Sequence, residues 1–245
     1  MNGDADLSVV AGLIADRNRS EILLALLGGT PSSGSALADA AEISRALASA
    51  HLKKLVDGGL VQVEKRGRQR LYSLASEDVV EALEALVLIA PPSPVRSLRA
   101  ATRSDSLRRA RLCYDHLAGA LGVALTDALV ARDLIRPHDG GFELGDDAGA
   151  GFAELGVDLA SVESARRPTL RACLDWTERR DHLAGGLGAA VATALIDRGW
   201  VRRREASRIV TLTAAGARGL RDWIGVDLAE ISIRAQAARA AGAPG

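Results

Sequence analysis

Ser44-Arg-Ala-Leu-Ala-Ser-Ala-His51-Leu-Lys-Lys-Leu55-Val-Asp-Gly-Gly59-Leu-Val-Gln-Val-Glu-Lys65-Arg-Gly67-Arg-Gln-Arg-Leu-Tyr72 holds the two patterns that decide the fold of the N-terminal part of this chain. Ser44 can cap a helix that carries Leu47, His51, Leu52 and Leu55 toward one side and stops at Gly58-Gly59. From Leu60 to Leu74, apolar and polar residues alternate on both sides of a basic tip at Gly67, which predicts a hairpin with a glycine turn. The same stretch concentrates charge: Arg45, Lys53, Lys54, Lys65, Arg66, Arg68 and Arg70 stand against Asp57 and Glu64, seven bases to two acids, a local balance of +5.

Upstream, Leu7, Val10, Leu13 and Ile14, then Ile22, Leu23, Leu26 and Leu27, recur at helical spacing around Asp16-Arg17-Asn18-Arg19. They predict two helices or one bent one, stopped at Gly28-Gly29-Thr30-Pro31. Ser35 can cap a short helix, Ala36 to Ala41, and Glu42-Ile43 supplies a tight turn before Ser44. The resulting order is helix, short turn, helix, hairpin: a winged helix-turn-helix, whose second helix enters a major groove while the arginine-rich tip reaches backbone or minor groove.

Over all 245 residues the formal net charge is +0, so the distribution of charge carries the argument. Residues 1–43 hold six acids and two bases, and Ser76–Ala90 holds Glu77, Asp78, Glu81 and Glu84 with no base. A neutral chain with one basic face still attracts a phosphate backbone, because screening at physiological salt confines the attraction to roughly 8 Å. With 48% hydrophobic residues the chain can fill cores of one large or two modest domains. No stretch approaches a membrane span, the N-terminus lacks a secretory pattern, and two cysteines are too few for a disulfide framework, so the expected location is the cytoplasm.

The N-terminal third resembles the ArsR/SmtB family of winged-helix repressors. The matching residues are Ala15 through Leu23, Ile43-Ser44-Arg45, Ser49 through Leu55, Gly59-Leu60-Val61, and Lys65-Arg66-Gly67-Arg68 leading to Tyr72-Ser73-Leu74. By position, the resemblance implies that Ser44, Arg45, Ser49 and His51 lie along the groove-facing side of the recognition helix, the alternative for His51 being to pack against or cap a neighbouring helix. It implies that Lys53 or Lys54 and the wing cations Lys65, Arg66, Arg68 and Arg70 hold phosphates of double-stranded DNA. It also implies a homodimer joined through Leu7–Leu27 and Glu77–Ile89. The founding members' cysteine-bearing arsenic site falls on Ala36–Glu42 in this chain, where there is no cysteine.

Ala90-Pro-Pro-Ser-Pro94 marks a boundary, since consecutive prolines force extended backbone. Beyond it the chain repeats itself. Asp115-His-Leu-Ala-Gly-Ala-Leu-Gly122 returns as Asp181-His-Leu-Ala-Gly-Gly-Leu-Gly188, and Gly156-Val-Asp-Leu159 returns as Gly225-Val-Asp-Leu228. Arg111-Leu-Cys-Tyr-Asp115 matches Arg171-Ala-Cys-Leu-Asp175 if the second copy has gained six residues around Trp176–Arg180. Each copy reads as a short strand, a helix beginning near the Asp-His pair with leucines stepping by four from Leu117 and Leu183, a hairpin and a closing helix. Glycines at 119, 122, 185, 186 and 188 would thin one helix face where the copies meet. The expected fold is therefore mainly α with small β-hairpins (α+β). Its domains are a winged-helix domain over 1–90, a linker over 91–104, and two duplicated winged-helix-like units over 105–160 and 161–235.

Cys113 and His116, with Cys173 and His182, offer two thiolates and two imidazoles, enough for a tetrahedral soft-metal site if the duplication brings them together. Their spacing is no recognised zinc signature, and an alternative is that the cysteines pack as small hydrophobes while Asp-His caps a helix. His138 falls in an exposed loop. No Walker loop, His-Glu-x-x-His, Gly-x-Ser-x-Gly or dinucleotide turn is present, and Gly145–Gly151 reads as a hairpin turn, so no enzyme is expected. The expectation is a sequence-specific DNA-binding repressor, released by a small-molecule or metal effector sensed in the C-terminal half and needing no cofactor beyond a possible metal ion. The alternatives are a metal- or thiol-redox-responsive repressor using those four residues, or a winged-helix module for protein assembly.

Overall fold

The computed structural model describes residues 5–91 and 97–225. The chain divides into two compact units, Met1–Ala90 with Arg204–Arg208, and Pro91–Arg203 with Ile209–Gly245.

In the first unit the elements run α1 (Leu7–Ile14), α2 (Arg17–Leu26), β1 (Ser32–Ser33), α3 (Gly34–Ala40), α4 (Arg45–Asp57), β2 (Val61–Arg66), β3 (Gln69–Leu74) and α5 (Glu77–Ile89). Asp16 separates α1 from α2 and caps the latter by accepting from the Arg19 amide at 3.0 Å. The cap of α3 is Ser33, which accepts from the Ala36 amide at 3.2 Å; the hydroxyl expected for that role, Ser35, lies inside the helix. Glu42, at φ 57°, makes the turn into α4. The strands form an antiparallel sheet in the order β1-β3-β2. Ile22, Leu23, Leu26, Leu37, Ala48, Leu52, Leu55, Leu60 and Leu74 fill the core, whereas α1 buries none of its residues and α5 buries only Val80 and Leu83.

The second unit opens with α6 (Leu98–Arg109), so that a helix occupies the later part of the expected linker. It continues with β4 (Arg111–Cys113), β5 (His116–Ala118), α7 (Gly119–Ala131), β6 (Ile135–His138), β7 (Gly141–Leu144) and α8 (Ala148–Leu155). After α9 (Leu159–Glu163) the order returns as β8 (Arg171–Leu174), β9 (Asp181–Ala184), α10 (Gly185–Asp197), β10 (Val201–Arg203), β11 (Val210–Leu212) and α11 (Ala214–Ile224). Each copy is thus helix, hairpin, helix, hairpin, helix. The closing helices α8 and α11 both end on a left-handed glycine, Gly156 at φ 84° and Gly225 at φ 72°. The rest of the second Gly-Val-Asp-Leu motif lies outside the described residues.

Two expectations about the repeat are corrected. The Asp-His pairs do not cap helices: His116 and His182 sit in strands, and the helices begin at Gly119 and Gly185, so Leu117 and Leu183 are strand residues as well. The glycines mostly make room for the backbone of their own copy. A Cβ on Gly122 would stand 2.4 Å from the Leu117 carbonyl oxygen and one on Gly185 2.8 Å from that of Pro168, and of these five glycines only Gly188 has an atom of the other copy, the His116 Cβ, among the nearest neighbours of an added Cβ. Gly145–Gly151 is also not a hairpin turn, because α8 starts at Ala148.

The copies share one core, in which Leu121, Leu125 and Leu129 of α7 and Leu187, Val191 and Leu195 of α10 are all buried. Packing is reciprocal: α7 lies on β9 and α10 lies on β5. Arg111 and Asp175, each with no exposed side-chain area, pair at 2.8 Å across the copies. The guanidinium also donates to Thr177 and Leu107 and lies over the Trp176 ring, while the Asp175 carboxylate accepts from the Gly119 amide at 2.6 Å. Burial works against the Asp175 charge, but Arg111 and these donors outweigh it and hold the carboxyl far below its ordinary range. Removing one member of a buried pair leaves the other charge uncompensated. Asp175→Asn is therefore expected to lower the stability of this unit by about 3–5 kcal/mol in urea unfolding, while Arg111→Met combined with Asp175→Leu recovers most of the loss.

Candidate nucleic-acid interface

Helix α4 divides cleanly into two faces. Ala48, His51, Leu52 and Leu55 are buried against the unit's core, while Arg45, Ser49, Lys53 and Lys54 are exposed. Arg45, Ser49 and Lys53 follow one another at intervals of four, which places them on one line along the helix. Leu47, expected among the core residues, is instead 42% exposed, because it follows Ala46 around to the open side. Ser44 remains exposed, but its hydroxyl accepts from the Leu47 amide at 3.2 Å, so its first duty is to start the helix. Lys53 meets Asp57 at 2.5 Å in an exposed pair that water and salt readily open.

His51 is the one residue of the expected DNA-contacting set that the structure turns inward. Its ring packs at the start of α2, with Nε2 3.4 Å from the Asn18 amide nitrogen and Nδ1 3.8 Å from the Asp16 carboxylate. On a helix of 3.6 residues per turn, a residue three beyond Ala48 and four before Leu55 shares their buried face.

The wing is the β2-β3 hairpin, turned at Gly67 with φ 60°. Every residue from Gln62 to Arg70 is exposed. Lys65 pairs in register with Arg70, and Arg66 with Gln69. Side chains directly opposite across an antiparallel ladder point to one face, and like charges there disfavour the pairing. The tip therefore presents two opposed cations on one face and Arg66 on the other, a distribution that an external anion would relieve. Arg66 itself contacts Glu64 at 3.1 Å.

In the second unit the structure brings Cys113, His116, Cys173 and His182 together, with their ligand atoms within 4.8 Å of one another. His116 Nδ1 faces the Asp115 carboxylate at 3.3 Å, and Asp115 in turn meets Arg167 at 2.6 Å. Burial disfavours a charged His116, but hydrogen bonds to Asp115 and Cys113 outweigh it and raise its pKa to about 9. His138 is apart from this cluster, exposed at the end of β6.

A helix-turn-helix domain model matches residues 14–64, spanning α2 through most of β2. The HTH-type transcriptional regulator YdfF of Bacillus subtilis is 37% identical over 211 residues, a match covering 86% of this chain and 93% of YdfF. The chain belongs to the HTH-type transcriptional regulators. Because that match is far longer than the winged-helix unit, the regulator shares its C-terminal half with its relative as well. Among solved structures, reduced HlyU from Vibrio cholerae is 32% identical over 32% of the regulator and 82% of HlyU, with a TM-score of 0.31. The homodimeric winged helix-turn-helix DNA-binding domain of Mb0332 from Mycobacterium bovis is 32% identical over 36% of the regulator and 88% of that fragment, also with a TM-score of 0.31.

The regulator's sequence concealed several supporting residues. Asp115 and Asp175 stand inside the repeated motifs, and their recurrence beside Cys and His was the available signal. Arg111 recurs as Arg171 in the same motif, whereas Arg167 carries no such mark, and only the fold reveals what either arginine reaches. For α4, the cap and the exposed face can be separated experimentally. Ser44→Ala is expected to cost about 1 kcal/mol of stability and Ser49→Ala less than about 0.5 kcal/mol, measured by chemical denaturation; equal losses would remove Ser44 as the cap.

Proposed function

We propose that the regulator is a homodimeric, cytoplasmic repressor that reads a partly palindromic operator in double-stranded DNA. Ser44–Leu55 lies in the major groove with Arg45 and Ser49 toward the bases, while Lys53, Lys54 and the wing cations Lys65, Arg66, Arg68 and Arg70 hold phosphates. The observation that carries this reading is the exposed line Arg45-Ser49-Lys53 on α4, in the same unit as a hairpin whose tip is wholly exposed and rich in cations. Such a face costs a free protein self-repulsion and is stabilised by a polyanion.

Dimerisation through α1 and α5 is supported by their composition. Leu7, Val9 and Val10 of α1 and Leu86 and Ile89 of α5 are exposed, with Ile89 at 80%, and apolar surface of this kind on short helices is stabilised by covering it. No helix among the described residues is long and apolar enough to cross a membrane. The C-terminal half senses an effector and changes DNA affinity without catalysing a reaction, in keeping with a relative that is a transcriptional regulator over nearly its whole length.

The test is DNA binding to the regulator's own upstream region, followed by fluorescence anisotropy over a range of salt. Arg45→Ala is expected to relax sequence preference by about 1–3 kcal/mol, the discrimination of one bidentate guanine contact; an unchanged preference would exclude Arg45 as a reader. Arg66→Ala with Arg68→Ala should weaken binding to all sequences alike and reduce the salt slope by about 1 for each phosphate no longer neutralised. An unaltered slope would take the wing off the backbone.

A further inference from the structure

We propose that Cys113, His116, Cys173 and His182 form a closed tetrahedral site for a zinc-class divalent cation, with each copy of the repeat supplying one thiolate and one imidazole. The hairpins build it by register. Cys113 pairs with His116 across β4-β5, and Cys173 pairs with His182 across β8-β9. Residues directly opposite on an antiparallel ladder project to the same face, so each hairpin offers a sulfur and a ring nitrogen to one side. Packing of β5 against β9 turns the two offers toward a common point.

The separations between like atoms suit a metal. Cys113 Sγ lies 3.8 Å from Cys173 Sγ, and His116 Nε2 lies 3.1 Å from His182 Nε2. With metal bonds of about 2.3 Å to sulfur and about 2.0–2.1 Å to nitrogen, the edges of a tetrahedron are about 3.8 Å between sulfurs and about 3.3 Å between nitrogens.

The orientation of the two histidines supports the same arrangement. Both present Nε2 to the centre, while His116 Nδ1 faces Asp115 at 3.3 Å and His182 Nδ1 faces Asp175 at 3.9 Å. His182 Nδ1 is buried without a hydrogen-bond partner. A cation between the rings would take both Nε2 atoms as ligands and leave both Nδ1 atoms directed toward acidic partners, the usual arrangement behind metal-bound histidine. An extra proton would satisfy the nitrogens equally well. It gives no reason for two sulfurs to face the same point.

Charge closes as well. Two thiolates neutralise a divalent ion, and the flanking carboxylates are matched by Arg167 on Asp115 and Arg111 on Asp175. Cys113, His116 and His182 are buried and Cys173 is half-buried. Four protein ligands leave no open position, which makes this a structural or sensing centre and not a catalytic one. Two sulfurs with two imidazoles select soft and borderline ions over magnesium or calcium.

The experiment uses the full-length protein, reduced, stripped with a chelator and titrated anaerobically with Co2+ and then Zn2+. One cobalt per chain is expected, with the ligand-field bands of a tetrahedral ion and thiolate-to-cobalt charge transfer. One equivalent of Zn2+ should abolish both and shield both thiols from alkylation. Asp115→Asn, which keeps all four ligands, should weaken Zn2+ binding by about 10–100-fold, and Cys173→Ser should cut the charge-transfer band to about half or less of its intensity, as one of two sulfurs is lost. A folded wild-type chain that binds no cobalt, or binds it with a six-coordinate spectrum, would overturn the proposal. So would Zn2+ affinity unchanged by Cys173→Ser, or a purified chain holding a Cys113–Cys173 disulfide that forms no cobalt complex after reduction. The readout is metal occupancy, so its failure would leave the DNA-binding reading standing.

Discussion

Neither copy of the repeated segment can cover its own central helix, and the architecture of the second unit follows from that constraint. Helix α7 has buried residues almost all the way around, from Gly119 through Leu129, and α10 buries a broad face from Gly185 through Leu195. A helix that is apolar on most of its circumference must be enclosed. Each finds its missing wall in the other copy, α7 on β9 and α10 on β5. Thr126 fastens one of these contacts by accepting the Leu183 amide at 2.9 Å, and Trp223 of α11 donates to the Gly151 carbonyl of α8 at 2.7 Å. Because the exchange is reciprocal, the strands carrying the cysteines and histidines must come side by side.

The first unit meets a different requirement, since it has to keep one helix face anchored while leaving the opposite face free. Leu52 and Leu55 hold α4 to the core, and the helix is started by a hydroxyl that needs nothing from neighbouring elements. What remains outward is Arg45, Ser49, Lys53 and Lys54, next in sequence to a hairpin whose strands hold each other by backbone bonds. In this arrangement side chains can be altered for recognition with little effect on folding.

Much of this was legible in the residues themselves. Periodicity and glycine stops marked α2 and α4, alternation marked the wing, and the clustering of cations between Arg45 and Arg70 pointed to a polyanion. The recurrence of Asp-His-Leu-Ala-Gly exposed the duplication, and the matching of Cys113 with Cys173 located the six extra residues, which the structure places in the turn between β8 and β9. The reading failed where local pattern and tertiary demand diverge. Leu117 looked helical because four-residue spacing linked it to Leu121, yet it belongs to a strand of only three residues, too short to show alternation. For His51 the family resemblance pointed to the groove while the periodicity set it beside Leu52 and Leu55, and helical geometry settles it with Ala48 and Leu55. The roles of Arg111 and Asp175 lay beyond sequence, since 64 positions separate partners that only a packed core makes neighbours.

The lengthened turn of the second copy also has a bearing on how the two halves can diverge. In the first copy the hairpin closes over Tyr114 and Asp115, whereas in the second it closes over six residues, and those supply Asp175, Trp176 and Thr177 around the guanidinium of Arg111. Lock and key have thereby been assigned to different copies. The two halves are distinct parts, and each is answerable to the other: a change at the Trp176 turn is felt at the head of β4, far earlier in the chain.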